Sequence, residues 1–226
     1  MAATAFLLAA GLGTRLRPLT LTTPKPLLPV GGVAMLDRVL AQVRAHGHDE
    51  VVVNAHWLAE HIVAWAADKP GVTVVTESPD ILGTGGGLRN ARRLLAERFV
   101  VVNGDILSDV DLGALWRVDA PAVMALRTQA APTHTGVDLD AAGVVRGIGN
   151  VAGRETGFTG LHFTGIHVLD QRVLDLVPEA GASCIVRTAY RALVPQGVVR
   201  GVLHEGAWTD IGTLAEYEAV RDGVPA

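Results

Sequence analysis

Residues 5–20 read AFLLAAGLGTRLRPLT, an apolar run that leads directly into a glycine-rich loop. The apolar run at 5–9 predicts a buried β-strand, and the glycines predict a loop at its carboxyl end. Because Gly lacks a Cβ, the amide groups of such a loop can approach a phosphate closely, and the small residues Ala9 and Ala10 leave room for a flat base. The loop is neither a GxxxxGK[ST] P-loop nor a GxGxxG fingerprint, so a tight turn without a ligand stays open as an alternative.

Apolar runs alternate with amphipathic runs through the first half of the chain. The predicted strands are 5–9, 50–54, 72–76 and 99–103, and the predicted helices are 35–46, 57–68 and 87–98. Strands separated by helices of this length indicate βαβ units, and wholly apolar strands indicate a parallel sheet covered on both faces. The sequence therefore predicts an α/β fold of the Rossmann-like, doubly wound kind, with a mostly parallel sheet.

The second half of the chain consists of shorter segments punctuated by glycine. The predicted elements are a strand at 121–127, hairpins at 133–168, helical stretches at 172–176 and 184–193, a strand at 198–203 and a last helix at 214–221. No change of composition marks a linker. The pattern predicts one domain over residues 1–226, with a small β-rich insertion over one edge of the sheet.

The composition limits the class of protein. The chain has 226 residues, of which 49% are hydrophobic and 19% charged, a globular balance that excludes a disordered chain. A net charge of −4 and a pI near 6.0 give no indication of nucleic-acid binding. The single cysteine, Cys184, excludes an internal disulfide and is typical of a reducing cytosol. The apolar start lacks a positive region and ends at the glycine loop, so we expect a cytoplasmic protein with no membrane or nucleic-acid partner.

Cations are concentrated in and beside the glycine loop. Arg15 and Arg17 lie within it, and Lys25, one of only two lysines in the chain, follows between Pro24 and Pro26. Proline fixes the backbone φ angle on both sides of Lys25, which suits a cation that must be held in one direction. A solvated surface lysine is the alternative.

Two carboxylates stand at positions where a metal could bind. Asp105 follows the apolar run at 99–103, and Asp210 lies in the segment WTDIGT. A carboxylate just after an apolar strand lies at the same edge of the sheet as the glycine loop, and Mg²⁺ prefers oxygen ligands that it shares with substrate phosphates. A turn or helix-capping role is the alternative for both residues. A further loop, LGTGGG at 82–87, would permit close approach of a base or ribose.

Four segments in this order, LAAGLGTRLRPLT at 8–20, PKPLLPV at 24–30, NGD at 103–105 and WTDIGT at 208–213, resemble the sugar-1-phosphate nucleotidylyltransferases over nearly the whole chain. The segments VNAHWLAEHI, ESP followed by GTGGG, and FTGIHVL resemble the short bacterial N-acetylmuramate 1-phosphate uridylyltransferases within that family. The resemblance implies a GT-A-like nucleotidyltransferase fold and Mg²⁺-dependent transfer from UTP to N-acetylmuramate 1-phosphate, in cell-wall sugar recycling. It also implies a mainly nucleotide-binding half at 1–130 and a mainly sugar-binding half at 131–226, in a monomer or homodimer.

The resemblance also assigns roles to residues. The catalytic residues that it implies are Arg15, Lys25 and Asp105, and the Mg²⁺ ligands are Asp105 and Asp210. The nucleotide-binding residues that it implies are Ala9, Ala10, Gly11, Gly13, Thr14, Arg15, Lys25, Thr84, Gly85 and Asn103. The sugar-binding residues that it implies are Gly136, Asp138, Thr164 and Gly165, and His162 or His167 could reach the same pocket.

One departure from the family pattern concerns the sugar. Many relatives carry a Glu-Lys-Pro segment whose Glu grips the sugar, whereas residues 150–157 read NVAGRETG here and leave Glu155 as a candidate. A GTP-dependent guanylyltransferase for mannose 1-phosphate or a heptose 1-phosphate stays an alternative, because LGTGGG resembles the loops of those enzymes too. A non-catalytic nucleotide-sugar-binding regulatory protein is a second alternative, and the retention of Arg15, Lys25 and both carboxylates argues against it.

Overall fold

Strand β1 (Ala3–Leu8) lies inside a nine-stranded sheet in the computed structural model, which describes residues 2–128, 135–149 and 160–223. The other strands are β2 (Pro29–Val30), β3 (Val33–Ala34), β4 (Val51–Ala55), β5 (Val72–Thr76), β6 (Leu95–Asn103), β7 (Ile106–Ser108), β8 (Ala122–Thr128), β9 (Gly136–Leu139), β10 (Val145–Ile148), β11 (Leu161–Asp170), β12 (Val199–Leu203) and β13 (Trp208–Asp210). The α-helices are α1 (Met35–Ala45), α2 (Ala59–Ala66), α3 (Gly83–Asn90), α4 (Leu112–Trp116), α5 (Arg191–Leu193) and α6 (Leu214–Val220). No helix in the described part of the chain is long and apolar enough to cross a membrane.

The order of the strands decides which loops meet. β5, β4, β1 and β6 are neighbours in that order and run parallel. β11 then pairs antiparallel with both β6 and β8, and β12 pairs parallel with β8. Because parallel strands point the same way, the loops that follow β1, β4, β5 and β6 leave the sheet at one edge, where ligands bind in open α/β sheets. The predicted α/β fold is confirmed.

Both faces of the sheet are buried, which explains the wholly apolar strands. Successive side chains of a strand point to opposite faces. Phe6 of β1 accordingly packs in one core with Leu88 of α3, and Leu7 packs in a second core with Leu36 of α1. Helices therefore cover the two faces, as the predicted doubly wound arrangement requires.

The predicted helix at 87–98 is wrong in its boundaries. α3 covers Gly83–Asn90, and β6 already begins at Leu95, which is buried and pairs with β1. The glycines therefore form part of the helix instead of preceding it. Their lack of a side chain serves packing, since a Cβ at Gly86 would lie 2.8 Å from the carbonyl oxygen of Gly181.

The predicted hairpins at 133–168 are confirmed in part, because β9 pairs antiparallel with β10 and also with the start of β11. β11 is instead a ten-residue strand of the main sheet, inserted between β6 and β8. Its residues Ile166, Val168 and Leu169 are all buried, as a strand covered on both faces requires. A strand from the second half of the chain thus completes the sheet of the first half.

Candidate active site

The glycine loop after β1 is held in one conformation by two side chains. One belongs to the loop itself and the other to the turn that precedes α2. Gly13 adopts a left-handed backbone with φ +61°, and its carbonyl oxygen accepts a hydrogen bond of 2.7 Å from Thr20 Oγ1. A Cβ at Gly13 would lie 2.8 Å from Thr20 Cγ2, so glycine is required here. Trp57 Nε1 donates to the carbonyl oxygen of Thr20 at 2.7 Å. Trp57 therefore fixes the loop, a function that its sequence pattern did not indicate.

Two buried polar residues, Asn54 and Glu77, tie the carboxyl ends of three strands together. Asn54 Oδ1 accepts from the amide of Ala9 at 2.7 Å, and Asn54 Nδ2 donates to Glu77 Oε1 at 2.7 Å. The other oxygen, Glu77 Oε2, accepts from the amide of Leu82 at 2.6 Å. Both side chains are only 2% exposed. This network sets the distance between the glycine loop and α3, although neither residue was predicted as a site residue from the sequence.

Lys25 and Asp105 form an ion pair at the edge of the sheet. Lys25 begins the short 3₁₀ helix Lys25–Leu27 and is 8% exposed, so the two flanking prolines hold a nearly buried ammonium group. Gly104 brings Asp105 close to the end of β1, because its amide donates to the carbonyl oxygen of Leu8 at 2.9 Å. The structure thus brings together Lys25 and Asp105, two residues to which the family resemblance gives a catalytic role.

Asp210 reaches the same place through the ribbon of β7 and β13. These strands pair antiparallel with Asp210 opposite Ile106, and the amide of Ile211 donates to the backbone oxygen of Asp105 at 3.3 Å. Burial, and next the negative charge of Asp105, raise the pKa of the Asp210 carboxyl group, although the charges of Lys25 and Arg15 oppose this. The two carboxylates therefore lie close enough to repel each other, an energetic cost that a bound cation would offset.

This pair of carboxylates fits a magnesium ion better than a zinc ion. Mg²⁺ is commonly held by one or two carboxylates and completes its shell with water and substrate phosphate oxygens. Among the residues that the structure describes, no group of three or more His, Cys, Asp and Glu side chains could hold a metal. Asp105 and Asp210 could supply two carboxylate ligands to such an ion.

Arg15 lies against the segment that carries Asp210. A Cβ at Gly212 would lie 3.1 Å from Arg15 Nη1, so the guanidinium group packs on the glycine backbone. Beneath it, Leu16 packs in a small core with Ile211 and Tyr217 of α6. Thr14 and Arg15 are both exposed at the start of the 3₁₀ helix Thr14–Leu16.

Two cavities meet beside these charges. One has a volume of about 210 Å³ and the other about 250 Å³. Both are lined by Leu8, Thr84 and Asn103, so they share a wall or opening there. The residues that line only the first include Ala10, Gly11 and Asp105, and those that line only the second include Thr164, Gly165 and Asp210. Each of the two carboxylates thus belongs to one cavity.

Of the two residues of α3 that were predicted to bind the nucleotide, one lines the cavities and the other does not. Thr84 lines both cavities, and its Oγ1 accepts from the amide of Ile185 at 3.0 Å. Gly85 lines neither: its amide donates to the Ser183 carbonyl oxygen at 2.9 Å, and a Cβ would lie 2.9 Å from Ser183 Oγ. The close approach at Gly85 is therefore to protein, and Gly83 lines the first cavity in its place.

Of the residues predicted to bind the sugar, some line the second cavity and others do not. Gly165 has φ +82° and approaches Asn103 so closely that a Cβ would lie 2.6 Å from Asn103 Nδ2. Thr164 lines the cavity, but its hydroxyl group donates to the carbonyl oxygen of Ala125 at 2.9 Å and is thus occupied. Gly136 and Asp138 of β9 line neither cavity, whereas the neighbouring Thr135 lines the second. Glu155 lies outside the described residues.

Comparison with known proteins places this geometry in a family. Residues 5–139 match the family described as MobA-like NTP transferase domain. The N-acetylmuramate alpha-1-phosphate uridylyltransferase of Neisseria meningitidis is 32% identical over 96% of this chain and 96% of its own length. The enzyme of that name from Caulobacter vibrioides is 33% identical over 92% and 91%. A mannose-1-phosphate guanylyltransferase of Mycobacterium tuberculosis is 31% identical, over 94% of this chain and 62% of its own.

Solved structures share the fold. The crystal structure of HddC from Yersinia pseudotuberculosis complexed with GMP-PN has a TM-score of 0.79 at 23% identity and covers 97% of this chain and 98% of its own. A structure described as a putative glucose-1-phosphate thymidylyltransferase from Bacillus anthracis has a TM-score of 0.82 at 23% identity, covering 97% and 94%. At these identities the likeness extends to the arrangement of helices and strands.

Proposed function

The chain belongs to the MobA-like NTP transferase family and is a sugar-1-phosphate nucleotidylyltransferase, and from this premise we propose that it transfers the uridylyl group of UTP to N-acetylmuramate 1-phosphate in the presence of Mg²⁺. The observation that carries the proposal is the pair of adjoining cavities with one carboxylate in each. Two substrates that react through their phosphates need two pockets that meet at a point where negative charge is neutralised. Asp105 lines one cavity, Asp210 lines the other, and Lys25 is paired with Asp105.

The reaction joins two anions and needs no general base. The second pKa of a phosphate monoester is about 6, so a sugar 1-phosphate is already a nucleophile near neutral pH. Its oxygen attacks the α-phosphorus of the nucleoside triphosphate, a new P–O bond forms, and the bond to the β-phosphate breaks to release pyrophosphate. Lys25 and Arg15 would stabilise the charge on the phosphates, and the amides of the glycine loop would orient them.

Asp105 and Asp210 would hold the magnesium ion. Bound there, it would neutralise charge between the triphosphate and the sugar phosphate. We expect chelation with EDTA to abolish turnover and added Mg²⁺ to restore it. We also expect Asp210→Asn to lower turnover by about 10²-fold or more at saturating substrates. Undiminished turnover in EDTA would contradict the proposed metal.

The choice of UTP and N-acetylmuramate 1-phosphate is supported by the two uridylyltransferases that match nearly their full length. The test is pyrophosphate release with UTP, GTP, CTP, dTTP and ATP, each with N-acetylmuramate, mannose, glucose and heptose 1-phosphates. The highest kcat/KM is expected for the first nucleotide with the first sugar. Because nucleoside triphosphates are made and used in the cytoplasm, the proposal places the protein there. No turnover with any pair would contradict the transfer reaction itself.

A second candidate, guanylyl transfer to mannose 1-phosphate or a heptose 1-phosphate, is favoured by the charge of the second cavity. Among the described residues that line it, Asp210 is the only charged one. Muramate carries a carboxylate of its own, which this part of the wall offers no cation to bind, whereas mannose is uncharged. Highest turnover with GTP and one of these sugars would replace the proposed substrates and leave the mechanism intact.

A further inference from the structure

A buried histidine, His167, forms part of the wall of the second cavity. His167 lies on β11, is 1% exposed, and lines the cavity beside Phe163, whose ring contacts it edge-on at a centroid distance of 5.2 Å. Its Nδ1 is hydrogen-bonded to the hydroxyl group of Tyr190, a residue that is itself fully buried and does not line the cavity. Nε2 has no hydrogen-bond partner among the described residues and is not one of the fully buried polar atoms, so it is the ring nitrogen that a molecule in the cavity can reach.

Both members of this pair are uncharged at physiological pH. Burial lowers the pKa of His167 to about 3, and burial raises the pKa of Tyr190 well above its usual value. A neutral imidazole carries one N–H group, on either Nδ1 or Nε2, and its other nitrogen is an acceptor. Which nitrogen carries the hydrogen decides whether the cavity wall offers a donor or an acceptor.

The Tyr190 hydroxyl group decides the position of that hydrogen. Within the described residues, His167 Nδ1 is its only hydrogen-bond partner. A buried O–H without an acceptor is costly, whereas an oxygen with an unused lone pair is tolerated more easily. The hydroxyl group therefore donates to Nδ1, and the ring hydrogen lies on Nε2. The described part of the chain provides no partner for this N–H group, which is left for a ligand.

We propose that His167 donates a hydrogen bond from Nε2 to an uncharged oxygen of the bound sugar, and that Tyr190 is the positioning residue that fixes the tautomer. This inference rests on the proposed function, because it takes the second cavity to be the sugar site. The chemistry recognised is a neutral acceptor, which a hydroxyl, an ether or an acetamido carbonyl oxygen supplies. His167 is thus a specificity residue for the sugar and has no part in binding the nucleotide.

Kinetics of three variants test the donor. We expect His167→Leu to raise the KM for the sugar 1-phosphate about tenfold or more and to leave the KM for the nucleotide unchanged. His167→Gln, whose side-chain amide can place an N–H group near the position of Nε2, is expected to recover most of this loss. An unchanged sugar KM in His167→Leu, or no recovery in His167→Gln, would overturn the proposal.

Substrate analogues locate the oxygen. Deoxy or deacetylated forms of the accepted sugar 1-phosphate are compared in the wild type and in His167→Leu. The analogue without the recognised oxygen should show the same KM in both proteins, which separates a hydroxyl from an acetamido partner. If every analogue keeps the full difference between the two proteins, no sugar oxygen is the partner and the proposal fails.

Nitrogen-15 NMR of the folded wild-type protein tests the tautomer without a substitution at His167. We expect the Nε2–H form, and a shift of the Nε2 resonance when the sugar 1-phosphate is added. Tyr190→Phe should give a mixture of both tautomers, and a circular dichroism spectrum shows whether this variant is folded. An Nδ1–H form in the wild type would overturn the inference. A wild-type enzyme that is inactive with every pair of substrates would instead overturn the proposed function, so the two failures are distinguishable.

Discussion

The position of the Lys25 side chain suits it to a role in the reaction. Its ammonium group is almost fully buried, and its carboxylate partner, Asp105, is partly exposed and lines the first cavity. When a phosphate enters, the lysine can contact it without crossing open solvent. Loss of the ammonium leaves Asp105 in contact with water, so the fold should survive. The consequence should appear mainly in the reaction rate.

We therefore expect Lys25→Ala to lower kcat about 10²- to 10³-fold, the range seen when one group that stabilises transition-state charge is removed. The pyrophosphate-release assay measures the rate, and thermal unfolding confirms that the variant is folded. Lys69, the only other lysine, pairs with Asp37 and Asp68 away from both cavities, so Lys69→Ala is the matched control with unchanged kcat. A near-normal rate in Lys25→Ala would refute this role.

Alanine substitutions at two glycines of the glycine loop after β1 should have different effects, one on nucleotide binding and the other on stability. A Cβ at Gly11 meets nothing within 4 Å, yet Gly11 lines the first cavity, the one proposed to hold the nucleotide. Gly11→Ala should keep its stability and raise the KM for the nucleotide about tenfold, about 1.4 kcal/mol of lost binding. Gly13→Ala should lose about 1–2 kcal/mol of stability, because its left-handed backbone disfavours a side chain and Thr20 is in the way. Urea unfolding and nucleotide KM values check both; loss of stability in Gly11→Ala would contradict the assignment.

At the level of strands and helices, one sequence pattern predicted part of the site: a polar residue at the carboxyl end of an apolar strand. Asp105 was predicted because it closely follows a buried apolar strand, and Asn54 and Glu77 occupy the same kind of position at the ends of β4 and β5. Applied to every strand, the rule would have found all three. The boundaries of α3 were beyond such a rule, because its glycine-rich turn is stabilised by packing on Ser183, a residue distant in sequence.

Asn54→Ala tests whether the strand ends are fixed by this network. The change removes the acceptor for Ala9 and leaves the buried Glu77 carboxylate with the Leu82 amide as its hydrogen-bond donor. We expect a loss of about 2–4 kcal/mol in the free energy of unfolding, because a buried charged group loses a partner. The urea midpoint measures it. Asn90→Ala, at the exposed end of α3, should change stability by less than about 0.5 kcal/mol; equal effects of both variants would contradict a special role for Asn54.

For the molecule as a whole, the sequence predicted the layers of helix and sheet better than it predicted which strands are neighbours in the sheet. Alternation of apolar and amphipathic runs was sufficient to predict helices on both faces of a sheet. It could not predict that β11 inserts between β6 and β8, because strand pairing depends on contacts between distant segments. The second cavity is lined partly by β11 and by residues 184–186. Its shape could not be predicted from the sequence, for the same reason.

The buried His167 also gives the molecule a pH-dependent stability. The unfolded chain takes up this proton near pH 6.5, whereas the folded protein takes it up only near pH 3, and Tyr190, which faces the ring, stays protonated throughout. Between these values the unfolded state binds more protons, so stability falls as the pH falls. We expect this residue to account for about 2 kcal/mol of the loss between pH 8 and pH 5. Urea unfolding of wild type and His167→Gln at both pH values measures it, and an equal loss in both proteins would contradict the assignment.

The packing of Leu16 on Ile211 and Tyr217 has a consequence for biosynthesis. A ribosome releases the glycine loop long before the segment that carries Asp210. Until that segment leaves the exit tunnel, the loop lacks the apolar surface beneath it and Asp105 lacks its second carboxylate. The nascent chain therefore cannot bring Asp105 and Asp210 together before residues 208–213 have emerged.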